Sequence, residues 1–250
     1  MSGHSKWAQI KRQKGVADAR RGQLFTKLGR EIMVAARQGG ANLDSNLQLR
    51  LAVQKARDNN MPSDNIERAV KRGSGESETA ALAELQFEGY GPGGIAVLAE
   101  ALTDNRNRTV QDVRRLFANH GGNLGENGCV SWLFEKRGVI TVEVNAQDAD
   151  EIALRAIDAG AEDVRAEKGY LEIYTQPEDL ELVRQAMEKE DHVISAEVSM
   201  LPSTTVLLDE SKAVQALKFL DHLEELDDVQ RVFSNLDFSD DTSEKLRSQS

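Results

Sequence analysis

Apolar residues recur at helical spacing through the first third of the chain, then at mixed spacing, with short alternating runs separated by further helical stretches. At about 100° per residue, Leu24, Phe25, Leu28, Ile32, Ala35 and Ala36 fall on one arc and predict a helix that faces a core. Arg20, Lys27, Arg30 and Arg37 fall on the other side of that wheel and are expected to face solvent. Gln38-Gly39-Gly40 stops this helix, and Asn42 to Asn46 is a polar start for a second, with the stripe Leu43, Leu47, Leu51 and Ala52. Asp58-Asn59-Asn60 ends it; Pro62, suited to a first helical turn, opens a short third helix carrying Ile66, Ala69 and Val70. The three make a small bundle, and the flexible, acidic run Gly73 to Glu78 reads as a linker.

Beyond the linker, Leu85 to Tyr90 and Ile95 to Leu98 flank Gly91-Pro92-Gly93-Gly94 and predict a β-hairpin. Those glycines are not a phosphate-binding loop, which needs a Lys-Ser/Thr pair and a helix directly after them. A helix bearing Val110, Val113, Leu116 and Phe117 follows, with Thr109 and Asp112 as a capping pair. Gly121-Gly122-Asn123-Leu124-Gly125 ends it, and Cys129 to Phe134 reads as a strand. Residues 135–202 then run strand, helix, strand, strand, helix, strand, the order of a ferredoxin-like sandwich. The last segment, a short strand at Val206 to Leu208, a helix at Ser211 to Leu223 and a strand at Val229 to Phe233, cannot stand alone. Joined to residues 94–134 it completes a second split αβ sandwich. The expected fold is therefore α+β: a helical domain over 1–78, a discontinuous αβ domain over 79–134 and 203–238, an αβ domain of 135–202 inserted into it, and a disordered tail from 239 to 250.

Charge changes this picture. The net charge of -11 divides unevenly: residues 1–73 hold 15 Lys and Arg against 6 Asp and Glu, and the remainder holds 16 against 36. A basic lobe on an acidic protein favours an oriented contact with a polyanion over general condensation on it. The opposite signs could equally draw the lobes together and neutralise the basic face from within. No apolar run approaches the roughly 20 residues of a bilayer span and no signal-peptide core opens the chain, so a cytoplasmic protein without membrane contact is expected. Cys129 is the single cysteine and excludes an internal disulfide.

The segment Ser5 to Lys14 carries Lys6, Lys11, Arg12 and Lys14 and no acid, with Trp7 among them, and Arg20 and Arg21 follow. Together with Lys27, Arg30 and Arg37 these are the candidate nucleic-acid contacts. Trp7 has two readings, a platform for an unpaired base and an apolar anchor for the arm. Arg106 and Arg108, beside a helix start, also have two: they could converge with free amides on a phosphate, or pair with carboxylates. His4, His120, His192 and His222 lie far apart, and no nucleophile, metal set or nucleotide loop stands out. No enzyme, metal or cofactor is expected. A monomer or weak oligomer is.

Four stretches, Gly3-His4-Ser5-Lys6-Trp7, Phe25-Thr26-Lys27-Leu28, Glu88-Gly89-Tyr90-Gly91-Pro92-Gly93-Gly94 and Leu102 to Thr109, make the chain resemble the YebC/PmpR family. Asn60-Met61-Pro62, His120 to Gly125 and Ala196 to Thr204 add to the likeness, which runs to about Phe238. The resemblance implies a cytoplasmic protein of three domains. It also implies a nonenzymatic regulator of gene expression, in the first place a DNA-binding transcriptional regulator. Some relatives are described instead as translation factors acting at the ribosome, which makes ribosomal RNA the alternative partner. Gln13 stands where the family's basic cluster is usually denser, a departure that weakens phosphate contact.

Overall fold

The computed structural model describes residues 18–75, 82–145, 148–167, 169–189 and 191–248. They form two compact units, one of residues up to Ser131 together with those from Thr205 onward, the other Trp132–Thr204.

The first unit opens with three helices, α1 (Asp18–Gly39), α2 (Leu47–Asp58) and α3 (Ser63–Gly73). The core stripe of α1 is as the periodicity predicts, with Leu28, Ile32, Ala35 and Ala36 buried. That of α2 is displaced: Leu49, Val53 and Ala56 are buried, whereas Leu51, placed on the stripe by the sequence reading, is 44% exposed. The helix begins directly after the polar lead-in, as that reading expects: Asn46 caps it, its side-chain oxygen accepting from Leu49 N at 3.0 Å. The buried Asn46 amide also donates to Ala35 O and Gly40 O, both at 2.8 Å, and so ties the end of α1 to the start of α2. Helix α3 is packed still more closely on α1. A Cβ on Gly73 would lie 2.4 Å from Met33 O, so backbone meets backbone there. Gly73→Ala is expected to wedge the two helices apart and destabilise the bundle by about 1–3 kcal/mol, as thermal unfolding of the purified variant would register. An unchanged midpoint would mean that the helices separate at no cost.

The same unit continues as strands β1 (Ala83–Tyr90) and β2 (Ala96–Thr103), helix α4 (Arg106–Asn119) and strand β3 (Asn123–Leu124). After the second unit come β8 (Val206–Leu207), α7 (Glu210–Glu224), β9 (Val229–Ser234), β10 (Leu236–Asp237) and α8 (Asp240–Ser248). β1 and β2 pair from Ala83↔Thr103 to Tyr90↔Ala96, the predicted hairpin, and lie at the centre of an antiparallel sheet of order β3-β1-β2-β9. Helices α4 and α7 cover it, with Phe117 against Phe219 edge to face at 4.9 Å between ring centroids. From the end of the chain β9 pairs with β2, and within that end β10 runs parallel to β8.

Three sequence expectations are corrected. Helix α4 is capped by Asn105, whose side chain accepts from Arg108 N at 3.2 Å, and not by the Thr109 and Asp112 pair, so Arg106 and Arg108 lie inside its first turn. Residues 129–133 are not strand. They form a loop and a 3-10 turn, and the strand begins at Phe134. The end of the chain, expected to be disordered, contains α8; Thr242 and Ser243 are buried, and Lys245 Nζ lies 2.6 Å from Glu210 Oε2 on α7.

The second unit contains β4 (Phe134–Glu143), α5 (Ala149–Asp158), β5 (Asp163–Glu167), β6 (Tyr170–Thr175), α6 (Leu180–Met187) and β7 (Val193–Pro202). Its sheet order, β5-β6-β4-β7, places the unit's strands second, third, first, fourth, the ferredoxin-like arrangement that the element order predicts. Ile140, Val142, Leu171 and Ile173 pack beneath Ile152, Ala156, Val183 and Met187 of the two helices.

Candidate nucleic-acid interface

Lys6, Trp7, Lys11, Arg12 and Lys14 lie outside the described residues. Arg20 and Arg21 fall on α1, but their side chains are likewise outside them.

The remaining α1 cations have two different fates. Gln23, Lys27 and Arg30 follow one another at helical spacing, and all three donate to backbone carbonyls in the turn where α7 ends. Gln23 Nε2 reaches Glu225 O at 3.4 Å, Lys27 Nζ donates to Glu224 O, and Arg30 Nη1 to Asp227 O. The carbonyl end of a helix carries partial negative charge and unsatisfied acceptors, so cations are stabilised there. Arg30 Nη2 goes further and pairs with Asp228 Oδ1 at 3.0 Å, with only 14% of the arginine side chain exposed. Lys27 and Arg30 therefore do not face solvent, as their wheel position suggested. They dock the basic bundle on the acidic turn Glu224-Glu225-Leu226-Asp227-Asp228. Internal neutralisation has claimed this part of the basic face.

Asp228 is the hub of that contact. It is 7% exposed and accepts from Arg108 Nη2 at 2.9 Å and from Thr109 Oγ1 at 2.7 Å, with Thr103 Oγ1 at 3.2 Å, in addition to Arg30. Burial pushes its carboxyl up, but the bonds from Arg108 and Thr109 and the charges of Arg30 and Arg108 outweigh that and hold it below the usual aspartate range. Of the two readings of Arg106 and Arg108, pairing with carboxylates describes Arg108, which also meets Asp104 at 2.9 Å. The Arg106 side chain is exposed and has no partner among the described residues. A cleft of about 510 Å³ opens beside these groups, lined by Arg30 and Arg108 but also by Asp104, Asp112, Asp227 and Asp228. Acids outnumber bases there, which disfavours a phosphate inside it.

Sequence reasoning missed two other groups. Glu88, on β1, is 4% exposed, and its carboxylate accepts from the backbone N–H of Gly128 at 2.9 Å, Val130 at 3.0 Å and Ser131 at 2.8 Å. Desolvation raises its pKa, the three amides lower it, and the amides prevail. This replaces the strand predicted after Cys129 with a loop folded around an anion. The sequence offered no signal, because Glu88 continues the polar alternation of Glu84 and Gln86 along the hairpin strand. The second group is a pair: His120 Nε2 and His222 Nδ1 are 3.0 Å apart, while His120 Nδ1 lies 3.0 Å from Leu116 O and must donate to it. No group of three His, Cys, Asp or Glu side chains among the described residues is placed to hold a metal ion.

Arg37 has neither been docked nor paired. It is exposed and has no partner among the described residues, as have Arg57, Lys71 and Arg72 of the same bundle. The molecule is thus an α+β protein whose basic helical bundle is keyed to an αβ body through a buried carboxylate and retains free cations on its outer surface.

Comparison with known proteins identifies it further. Residues 5–76 match the model of the TACO1/YebC protein N-terminal domain, and residues 82–236 that of the TACO1/YebC second and third domain. The chain belongs to the TACO1/YebC family. It is 60% identical over 250 residues, the whole of both chains, to a probable transcriptional regulatory protein of Dehalococcoides mccartyi. It is 53% identical over 241 residues to one of Moorella thermoacetica, covering 95% of this chain and 96% of that one. The fold matches the crystal structure of a conserved hypothetical protein from Aquifex aeolicus with a TM-score of 0.80 and 47% identity, over 89% of this chain and 93% of that one. No helix among the described residues is long and apolar enough to cross a membrane.

Proposed function

We propose that this chain is a nonenzymatic, nucleic-acid-binding regulator of gene expression, acting as a DNA-binding transcriptional regulator through its basic N-terminal lobe. The observation that carries this reading is the separation of charge: 15 Lys and Arg against 6 Asp and Glu within residues 1–73 of a protein whose net charge is -11. Relatives named as transcriptional regulatory proteins support it. In this reading Lys6, Lys11, Arg12, Lys14, Arg20 and Arg21 hold phosphates, and the acidic remainder repels nucleic acid and orients the contact.

Action at the ribosome is a second reading, and one observation favours it. The Gln23, Lys27 and Arg30 stripe of α1 is occupied by the turn after α7, so α1 is not free to enter a major groove by that face and read base edges. A surface that holds phosphates without reading bases suits folded RNA recognised by shape.

Sedimentation of the purified protein with ribosomes at near-physiological salt, with duplex promoter DNA as competitor, separates the two. Retained binding to a particular duplex without pelleting supports the transcriptional reading; saturable pelleting that DNA does not displace selects the ribosomal one. In either case Lys11→Ala, Arg12→Ala and Lys14→Ala together are expected to flatten the salt dependence of binding by roughly 0.7–0.9 log units per lost phosphate contact. An unchanged slope would remove this run from the interface.

A further inference from the structure

We propose that the bundle itself grips nucleic-acid phosphates at the end where α1 and α3 finish, through Arg37, Lys71 and Arg72. This rests on the nucleic-acid reading above and deepens it, because it moves the contact from the flank of α1 to its end.

Packing brings the last turns of α1 and α3 together. Gly73 lies directly on Met33 and Ala36: a Cβ there would stand 2.4 Å from Met33 O and 2.7 Å from Ala36 Cβ. Arg72 precedes that contact by one residue and Arg37 follows it by one, so both arginines stand in the last turns of two helices that meet at one end of the bundle, with Lys71 in the same last turn of α3. All three side chains are exposed, and none has an ion pair or hydrogen bond among the described residues.

The contrast with the rest of α1 decides the assignment. Arg37 lies seven residues beyond Arg30, two helical turns along the same stripe, but past the reach of the turn that occupies Gln23, Lys27 and Arg30. A docked cation must give up an internal partner before it can meet a phosphate; an unpaired one has none to lose. The negative ends of α1 and α3 stabilise cations at this place without a carboxylate. The acids nearby leave them unpaired: Glu84 is taken by Gln38 Nε2 at 3.0 Å, and the exposed Glu67, one turn before Lys71, makes no ion pair with it. Two arginine forks and a lysine suit phosphate oxygens. No large apolar side chain of α1 or α3 among the described residues is exposed to anchor a protein partner, so the ligand chemistry is the nucleic-acid backbone.

The test uses the full chain and fluorescence anisotropy over a range of salt, with a labelled DNA duplex and a labelled ribosomal RNA hairpin as probes. Arg37→Ala, Lys71→Ala and Arg72→Ala together are expected to reduce the slope of log affinity against log salt by roughly 2–3. The affinity loss near physiological salt is on the order of fivefold per contact. The unfolding midpoint should fall only slightly, since a favourable helix-end interaction is lost but no ion pair or hydrogen bond. Arg114→Ala with Lys218→Ala, exposed cations of α4 and α7, should leave the slope alone. A full wild-type slope in the triple variant, with the Lys11, Arg12 and Lys14 variant impaired, would refute this surface while leaving the nucleic-acid reading intact. Equal losses in the triple variant and in the Arg114 and Lys218 control would also refute it, by reducing the effect to net charge. If the wild-type chain binds neither probe in a salt-dependent way, the nucleic-acid reading falls and this surface with it.

Discussion

Asp228→Ala detaches the helical bundle from the αβ body and costs about 3 kcal/mol, the low end of what breaking a buried charge pair costs, because part of the Arg108 side chain reaches solvent and can be rehydrated. The substitution leaves Arg30, whose side chain is only 14% exposed, with the Asp227 carbonyl but no carboxylate, and removes the acceptor shared by Arg108, Thr109 and Thr103. Denaturant unfolding together with hydrogen exchange is the measurement. Loss of amide protection is expected first in α1 and in the turn after α7, ahead of the sheet. The pH dependence has a definite sign. The Asp228 carboxyl titrates lower in the folded protein than in the unfolded chain, so its stabilising contribution is present above the ordinary aspartate range and is lost as pH falls through the lowered folded value. Asp228→Asn should therefore flatten the acid limb of the stability curve. Wild-type steepness in that variant would mean that other carboxylates govern the acid limb.

Glu88→Ala is the second large loss, expected at about 2–3 kcal/mol, because it leaves the N–H groups of Gly128, Val130 and Ser131 without their acceptor, the buried Val130 amide above all, while the exposed Gly128 can turn to water. Glu88→Gln is a sharper test. Its shape is retained, but the amide NH₂ must face one of three donors, so it should recover only part of the loss. Protease cleavage between Gly125 and Ser131 and faster exchange at the Val130 amide would locate the damage. The folded carboxyl is held low by the three amides, so its contribution, too, disappears toward acid pH. If Glu88→Gln matched wild type in both stability and cleavage, the loop would be held by its own turns and not by the anion.

These two carboxylates also mark the limit of what periodicity conveys. The α1 core stripe, the hairpin around Gly91-Pro92-Gly93-Gly94 and the ferredoxin-like unit were legible because each depends on local spacing that burial enforces along one element. The α2 stripe was misplaced by two residues because Asn46, which caps the helix and ties it to Ala35 O and Gly40 O at the end of α1, is a tertiary link that helical spacing does not register. The Thr109 cap was misassigned for a related reason. Asn105 takes that role, while the Thr109 hydroxyl turns to Asp228, 119 residues away.

The candidate site divides in the same way. The sequence alone determined that residues 1–73 are a basic lobe on an acidic protein, which cations belong to it, and which of them share a helix face, since composition and a wheel need no tertiary information. Only the tertiary structure decided which of those cations are free. Lys27, Arg30 and Arg37 lie on one stripe and look equivalent in sequence. The fold brings the carbonyl end of α7 and Asp228 against the first two and leaves the third at the end of the bundle beside Lys71 and Arg72. The physical reason is that pairing a charge depends on a partner within about 4 Å, and for Arg30 that partner is nearly two hundred residues away along the chain, where no local pattern can register it.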